Sequence, residues 1–226
     1  MDTYLPWIMI GVGYLVGGIP IGVLVARRQG VDLRQVGSGN IGASNVMRTL
    51  GTRPGIAVWL ADLLKGLVPV LWAGRLLRDL PNPWPYVGAV AVAAVLGHCF
   101  SVFLRLRGGR GVSTTLGAIL ALDWRVGLIA FAIWLFVLGL TRFISVASMV
   151  ATALAPVLFL VLPPKTPEAR GAWVAAGIAL AVVVVLRHIP NLGRLIKGTE
   201  SRVGQKAEIP LPEGIEGGPE SETEYR

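Results

Sequence analysis

Long apolar stretches separated by short polar ones dominate this chain. Seven stretches contain few charged residues, and they cover residues 4–26, 56–77, 84–104, 112–122, 126–140, 144–162 and 171–186. A helix needs about 20 apolar residues to cross the hydrocarbon core of a bilayer. The pattern therefore predicts an all-α integral membrane protein with seven transmembrane helices.

The fourth and fifth stretches, 112–122 and 126–140, are short for this purpose. They either cross a thinned membrane or form a hairpin around Asp123, Trp124 and Arg125. Either arrangement leaves every other stretch on the same side of the membrane, so the predicted topology does not depend on the choice.

Composition supports the membrane assignment, because 54% of the residues are hydrophobic and 15% are charged. Soluble domains contain about 25% charged residues, so this chain has too few to cover a water-facing surface. The single cysteine, Cys99, excludes an internal disulfide framework and a multi-cysteine metal site. We expect Cys99 to pack in the apolar interior.

The net charge of +8 sets the predicted orientation. Basic loops stay in the cytoplasm, and the basic residues divide unequally between the two sides. Fourteen lie on one side: Arg27, Arg28, Arg34, Arg48, Arg53, Arg105, Arg107, Arg110, Arg142, Arg187, Arg194, Lys197, Arg202 and Lys206. Five lie on the other: Arg75, Arg78, Arg125, Lys165 and Arg170. We therefore predict an N-terminus outside, a C-terminus in the cytoplasm and no nucleic-acid partner.

The composition changes near the end of the chain. Residues 207–226 carry six glutamates with several prolines and glycines and almost nothing apolar, which is typical of a disordered segment. We predict one membrane-embedded domain over residues 1–206 and a disordered acidic tail over residues 207–226.

Three predicted cytoplasmic loops mix glycines, small polar side chains and basic residues. In the first loop, the candidates for phosphate binding are Gly37, Ser38, Gly39, Asn40, Asn45 and Arg48. Glycines let successive N–H groups converge on an anion, and a helix that begins near Asn40 would add its positive end. The G-x-G-x-x-G spacing of Gly37, Gly39 and Gly42 does not indicate a dinucleotide site, because no strand precedes it.

The second and third loops repeat this chemistry. Gly108, Gly109, Arg110 and Gly111 lie where a helix begins, and arginine suits two-pronged phosphate binding; we interpret Arg105 and Arg107 as topology markers. In the third loop, Pro190 should end the last helix and leave His188 and Asn191 exposed at the membrane interface. Arg194 and Lys197 then share a helical face, which could instead bind anionic lipid head groups.

A few polar residues fall inside the apolar stretches. Asp62 and Lys65 are three residues apart, and because isolated charge is expensive in a membrane, we expect either a functional site or an ion pair that closes the polar pocket. His98 is expected to be a structural histidine. Ser145 begins the sixth stretch, where it either reaches the same anion or packs against a neighbouring helix.

Anion-holding loops at the edge of an apolar bundle suggest a substrate with a phosphate and a greasy part. An enzyme of phospholipid synthesis and a transporter of phosphorylated solutes both fit. A transporter favours polar groups near the bilayer midplane, whereas here they gather at one edge, which favours the enzyme. Neither His98 nor His188 has an aspartate five residues later, and the five aspartates are not clustered, so we predict no obvious general base, metal or cofactor.

The polar motifs, taken in order, closely resemble those of the bacterial PlsY family. They are residues 37–45 through Arg48, residues 62–66, residues 97–98 with 108–112, and residues 187–191 with 197–200. The resemblance implies a seven-helix glycerol-3-phosphate acyltransferase of the bacterial inner membrane, with a site facing the cytoplasm. It implies that acyl phosphate donates the acyl chain and that lysophosphatidic acid and phosphate are formed, as the first step of phospholipid synthesis. The implied partners are glycerol 3-phosphate, acyl phosphate, the lipid bilayer and, as a further candidate, the soluble enzyme that forms acyl phosphate.

The same resemblance implies roles for individual residues. Ser38 and Arg48 match the essential pair of the first motif, and Gly108, Gly109 and Gly111 match the glycerol 3-phosphate pocket. The functional pair of the third motif corresponds to His188 and Asn191, and Glu200 corresponds to a structural residue. Arg110 stands where the family usually has lysine, and Ser44 where threonine is common.

The chemistry of a mixed anhydride accounts for the missing base, since the phosphate of the donor can accept the proton of the attacking hydroxyl. The enzyme then supplies positioning and charge stabilisation. We predict that Ser38, Arg48, Arg110 and Ser145 hold the two phosphates and that no acyl-enzyme forms. Trp59, Leu63 and Phe103 are predicted to line the groove for the acyl chain.

Overall fold

The computed structural model describes residues 3–162, 164 and 166–205. Within these ranges the chain is helical and contains no β-strand, as the sequence predicts. The α-helices are α1 (Leu5–Gly18), α2 (Ile21–Arg27), α3 (Ala43–Leu50), α4 (Thr52–Leu76), α5 (Trp84–Cys99), α6 (Val112–Leu122), α7 (Trp124–Thr141), α8 (Ile144–Val161), α9 (Arg170–Arg187) and α10 (Ile189–Ile196). The predicted acidic tail lies outside the described residues.

Six of the seven predicted spans are long and apolar enough to cross a membrane. They contain α1 with α2, α4, α5, α7, α8 and α9. α7 reaches 18 residues because Asp123 caps its first turn by accepting a hydrogen bond from the Arg125 N–H. α6 has only 11 residues, so a seventh crossing stays a prediction.

The first span is broken rather than continuous, contrary to the predicted single stretch. Pro20 lacks an N–H and separates α1 from α2. The carbonyl groups near the break are bound by buried side chains. Ser101 Oγ donates to Gly18 O at 2.6 Å, and Lys65 Nζ donates to Ile19 O at 2.9 Å. The break is therefore tied to α4 and to the end of α5.

The core forms around α5, which packs against α1, α4, α6 and α9. α4 and α6 cross closely through two glycines. A Cβ added at Gly66 would overlap the carbonyl oxygen of Thr114, and one added at Gly117 would overlap that of Leu63. Small residues allow this approach between membrane helices, and it places the beginning of α6 beside the middle of α4.

Candidate active site

The first polar loop is folded around Asn45, whose side chain is 1% exposed. Its Oδ1 accepts a hydrogen bond from the Ser38 N–H at 2.9 Å, and its Nδ2 donates to Leu33 O at 3.1 Å and to Val36 O at 3.0 Å. These bonds use both amide hydrogens and the carbonyl, so the structure leaves Asn45 no free side-chain donor for the predicted phosphate. Asn45 shapes the loop instead.

The same loop places the beginning of α3 in the wall of a cavity. Gly37 and Gly39 have positive φ angles of 60° and 67°, and the Gly39 N–H is engaged by Val36 O. The cavity wall starts at Asn40 and continues with Gly42, Ala43 and Ser44. The predicted helix is therefore present, although it begins three residues later than Asn40.

The second loop presents Arg110 and Gly111 to this cavity. Its two preceding glycines do not offer their amides, because the Gly108 N–H donates to Cys99 O at 3.1 Å and the Gly109 N–H donates to His98 O at 3.0 Å. Of the second loop's residues, Arg110 and Gly111 therefore line the cavity, and the binding of phosphate by Gly108 and Gly109 stays a prediction.

His188 and Asn191 are buried, not exposed as predicted, and each is 1% exposed. The segment after α10 folds back in this region, where its Glu200 accepts a hydrogen bond from Asn191 Nδ2. Its Val203 N–H donates to Arg142 O at 2.9 Å, and Arg202 lies over the ring of Phe143. This segment thus returns to the connection between α7 and α8. His188 and Asn191 lie inside the protein and not at the predicted membrane surface.

His188 lines the cavity in its neutral form. Its Nδ1 is 2.7 Å from Val184 O, and because a carbonyl only accepts, this contact places the proton on Nδ1 and leaves Nε2 as an acceptor. Burial lowers the pKa of His188 to about 4; the hydrogen bond to Val184 opposes this shift, and Arg110 reinforces it.

Glu200 ties the third loop together. Asn191 Nδ2 donates to its Oε1 at 2.6 Å, and Arg194 Nε donates to its Oε2 at 2.8 Å. Burial alone would raise the pKa of Glu200, but these contacts, with the nearby Ser145 hydroxyl, lower it. Lys197 is exposed and does not line the cavity, so the structure does not bring it to the phosphate site as predicted.

Arginines from the three loops form one cationic cluster: Arg48, Arg110 and Arg194. The pKa of Arg110 is lowered to about 10, mainly by burial and in addition by Arg194 and Arg48, while Glu200 opposes the shift. Burial also lowers the pKa of Arg48, which Glu200 raises and Arg194 lowers. Ser38 is half-buried and is not among the residues that line the cavity. The predicted convergence of the three loops is therefore present.

Two buried polar atoms, Asn191 Oδ1 and Thr115 Oγ1, lack a hydrogen-bond partner among the described residues. Buried polar groups are nearly always paired, so unpaired ones next to a cavity indicate a position for a ligand. Thr115 lies in the cavity wall and was not singled out by the sequence.

The cavity continues from the polar loops into an apolar part between α4, α6, α7 and α8. Trp59 lines it as predicted, whereas Leu63 and Phe103 do not. Phe131 packs between Trp59 and Trp134, with ring centroids 6.2 Å and 6.0 Å away. Trp134 is fixed by a hydrogen bond from its Nε1 to Ser148 Oγ at 3.1 Å.

Asp62 and Lys65 form the expected ion pair, with 2.9 Å between Asp62 Oδ1 and Lys65 Nζ. Asp62 also lines the cavity. His98 is buried beside the pair, with its Nδ1 3.3 Å from Thr114 Oγ1 and 3.8 Å from Asp62 Oδ1. These contacts favour structural roles for all three side chains.

Sequence reasoning missed the contacts of Arg187, which it assigned to topology. Arg187 Nε donates to Gly109 O at 3.0 Å, and Nη2 donates to Gly108 O at 2.9 Å. The guanidinium also lies over the Phe100 ring, 5.3 Å from its centroid. Its place next to His188 in the third motif was the available signal.

Known proteins similar to this chain share one activity. The sequence model of a family described as glycerol-3-phosphate acyltransferase matches residues 7–198. The glycerol-3-phosphate acyltransferase of Geobacter sulfurreducens is 45% identical over 195 residues, which cover 86% of this chain and 96% of the relative. That of Thermus thermophilus is 47% identical over 204 residues, which cover 89% and 96%.

Two solved structures also resemble the fold. The crystal structure of PlsY, an integral membrane glycerol 3-phosphate acyltransferase, in its glycerol 3-phosphate form has a TM-score of 0.80 at 36% identity. Its lysophosphatidic acid form has a TM-score of 0.78 at 34% identity. Each comparison covers 88% of this chain and 96% of the solved one.

Proposed function

This chain belongs to the glycerol-3-phosphate acyltransferase family, and from that premise we propose that it transfers a fatty acyl group from acyl phosphate to the C1 hydroxyl of glycerol 3-phosphate. The products are lysophosphatidic acid and inorganic phosphate. The observation that carries the proposal is a cavity in which Asn40, Arg110 and His188, one residue from each polar loop, meet an apolar wall. Arg194 and Arg48 are charged neighbours of Arg110, and the unpaired Thr115 Oγ1 lies in the same wall.

The polar part of the site complements glycerol 3-phosphate in both charge and hydrogen bonding. Arg48 and Arg110, the N-terminal end of α3 and the Ser38 hydroxyl supply donors for phosphate groups. His188 Nε2 and Asn191 Oδ1 supply acceptors for glycerol hydroxyls. Glycerol 3-phosphate has hydroxyl groups at one end and a phosphate at the other, so it can pair with both the acceptors and the donors of the site.

The apolar part of the cavity suits the acyl chain. Its walls from Trp59, Phe131 and Trp134 lead away from Arg110 into the bundle. An acyl phosphate can therefore place its phosphate among the cationic side chains and its hydrocarbon against aromatic rings. Ser145, at the beginning of α8, is the further donor that we assign to one of the two phosphates.

The reaction needs no covalent intermediate on the protein. The C1 oxygen of glycerol 3-phosphate attacks the acyl carbonyl carbon, and the bond from that carbon to the phosphate oxygen breaks. The departing phosphate takes the hydroxyl proton. The arginine cluster stabilises the charge that develops on the phosphate, and His188 orients the attacking hydroxyl.

The proposed site faces the cytoplasm of a bacterial inner membrane. The excess of basic residues on the side of the three loops supports this orientation, with the N-terminus outside and α6 as a short seventh crossing. The 1–206 domain boundary, the acidic tail and the soluble enzyme that would deliver acyl phosphate stay predictions.

The test uses purified full-length protein with glycerol 3-phosphate, offered palmitoyl phosphate or palmitoyl-CoA in separate reactions. We expect lysophosphatidic acid from palmitoyl phosphate alone. Product from palmitoyl-CoA alone would contradict the assigned donor, and no product from either would contradict the proposed function.

A further inference from the structure

We propose that Arg187 is a positioning residue that fixes the conformation of the Gly108–Gly109 loop and thereby sets the affinity of Arg110 for the phosphate of glycerol 3-phosphate. The inference rests on the function proposed above and adds a residue to its site. Arg187 acts through the loop, because its contacts are with backbone carbonyl groups and an aromatic ring.

The geometry of the contact is a fork. Arg187 Nε and Nη2 each donate to a different carbonyl, Gly109 O at 3.0 Å and Gly108 O at 2.9 Å. The rigid, planar guanidinium can make both bonds at once, which the single ammonium of lysine cannot reproduce in the same geometry. The Phe100 ring beneath the guanidinium restricts its plane further.

The opposite side of the same two peptides is held by the end of α5. The Gly108 and Gly109 N–H groups donate to Cys99 O and His98 O. A Cβ added at Gly109 would overlap the His98 ring, so the loop backbone lies directly on this buried histidine. Both carbonyls and both amides of the two glycines are therefore engaged, and their peptide planes are fixed between α5 and α9.

Fixing these planes sets the direction in which the next residue leaves the loop. That residue is Arg110, which lines the cavity and lies in the cationic cluster. A preorganised guanidinium binds its anion without an ordering cost. Loosening the loop should therefore weaken phosphate binding more than it slows the chemical step.

The alternative, that Arg187 only marks the cytoplasmic side, makes a different prediction. A topology marker needs a positive charge alone. Arg107 is exposed and is such a marker by this criterion. Arg187 does not fit this description, because it is half-buried and donates hydrogen bonds through two nitrogens.

Arg187→Lys and the matched control Arg107→Lys test the inference, since both keep the charge. Initial rates with palmitoyl phosphate should show a KM for glycerol 3-phosphate raised about tenfold in Arg187→Lys. The kcat and the KM for palmitoyl phosphate should change much less, and Arg107→Lys should match the wild-type protein. Glycerol 3-phosphate binding by calorimetry should weaken in parallel.

Phe100→Leu removes the ring under the guanidinium but keeps the charge and the donors of Arg187. It replaces Arg187→Lys as the test variant if that protein does not fold. A smaller rise in the same KM supports the inference. The inference is overturned if the KM for glycerol 3-phosphate is unchanged in whichever variant folds, or if kcat falls and both KM values rise to the same extent. In either case, activity of the wild-type protein still supports the proposed function. A wild-type protein that neither binds nor acylates glycerol 3-phosphate overturns both.

Discussion

The Asn191 side-chain amide donates to Glu200 Oε1 over 2.6 Å, and this bond leaves Asn191 Oδ1 buried and without a partner in the described part of the chain. Only the NH₂ group can donate to a carboxylate, so Glu200 fixes which way the amide faces. Glu200 thus determines that Asn191 keeps an unpaired acceptor, which we assign to a hydroxyl group of the proposed substrate.

Replacing Glu200 should therefore affect both stability and turnover. In Glu200→Gln the ion pair with Arg194 is lost, and the new amide nitrogen faces a donor. We expect the free energy of unfolding to fall by about 1–3 kcal/mol and the activity to fall with it. Thermal unfolding in detergent and the acylation assay measure this, with the exposed Glu168→Gln as the control; equal melting of the two variants would contradict it.

Ser145→Ala should separate stability from activity. Glu200, which lies beside the Ser145 hydroxyl, already has Asn191 and Arg194 as donors. Removing the hydroxyl should therefore destabilise the protein only slightly, whereas activity should fall roughly tenfold if the hydroxyl binds a phosphate. Ser148→Ala is the matched control on the same helix. Its Oγ donates to Ile144 O and accepts from Trp134, so it should lower the melting temperature. A destabilised Ser145→Ala with normal turnover would refute the assignment.

Arg48→Ala should remove most of the activity, about 100-fold or more, while the bundle stays folded. Arg48 is half-buried, has Glu200 and Arg194 as charged neighbours, and does not belong to the hydrophobic core. The comparison is Arg53→Ala, an exposed arginine on the next helix. If Arg48→Ala turns over like Arg53→Ala, the phosphate site lies elsewhere.

The pKa of His188, lowered to about 4 by burial, predicts how stability depends on pH. The unfolded chain takes up a proton near the ordinary value of about 6.5, whereas the folded one does not until near 4. Stability from neutral His188 is therefore complete above about 6.5 and is lost as the pH falls through this window. The melting temperature of wild-type protein should drop more than that of His188→Gln between pH 7 and 5; parallel curves would exclude the shift.

Gly117→Ala should destabilise the bundle because its methyl group would overlap the Leu63 carbonyl in α4. A backbone atom cannot move aside cheaply, so we expect a loss of about 1–3 kcal/mol. Gly139→Ala in α7 meets no atom within 4 Å and should be neutral or slightly stabilising. Melting temperatures of the two variants test the crossing, and equal values would contradict it.

The apolar spans were predictable because hydropathy is a local property. The ion pair of Asp62 and Lys65 followed from the same logic, since two charges one helical turn apart in a membrane must meet. The break at Pro20 was harder to predict. The proline is present in the sequence, but the apolar residues on both sides of it form one continuous stretch.

The parts of the site that could not be predicted depend on which partner a polar group finds. Asn45 could have faced a ligand or its own loop, and its three bonds to that loop decide the matter. Asn191 contacts Glu200, which belongs to a segment that returns to Arg142 through Val203. Such long-range contacts leave no periodic signal, and the same is true of Arg187 and the carbonyls of Gly108 and Gly109.

The interruption of the first span links residues that are far apart in the sequence. At the break, Ile19 O accepts from the Ile21 N–H at 3.0 Å and from Lys65 Nζ at 2.9 Å, and Asp62 neutralises Lys65. Losing either member of the charged pair alone would leave the other charge without its counter-ion inside the bundle. Among homologues, Asp62 and Lys65 should therefore be gained and lost together, so their covariation would report a folding constraint and not a shared role in chemistry.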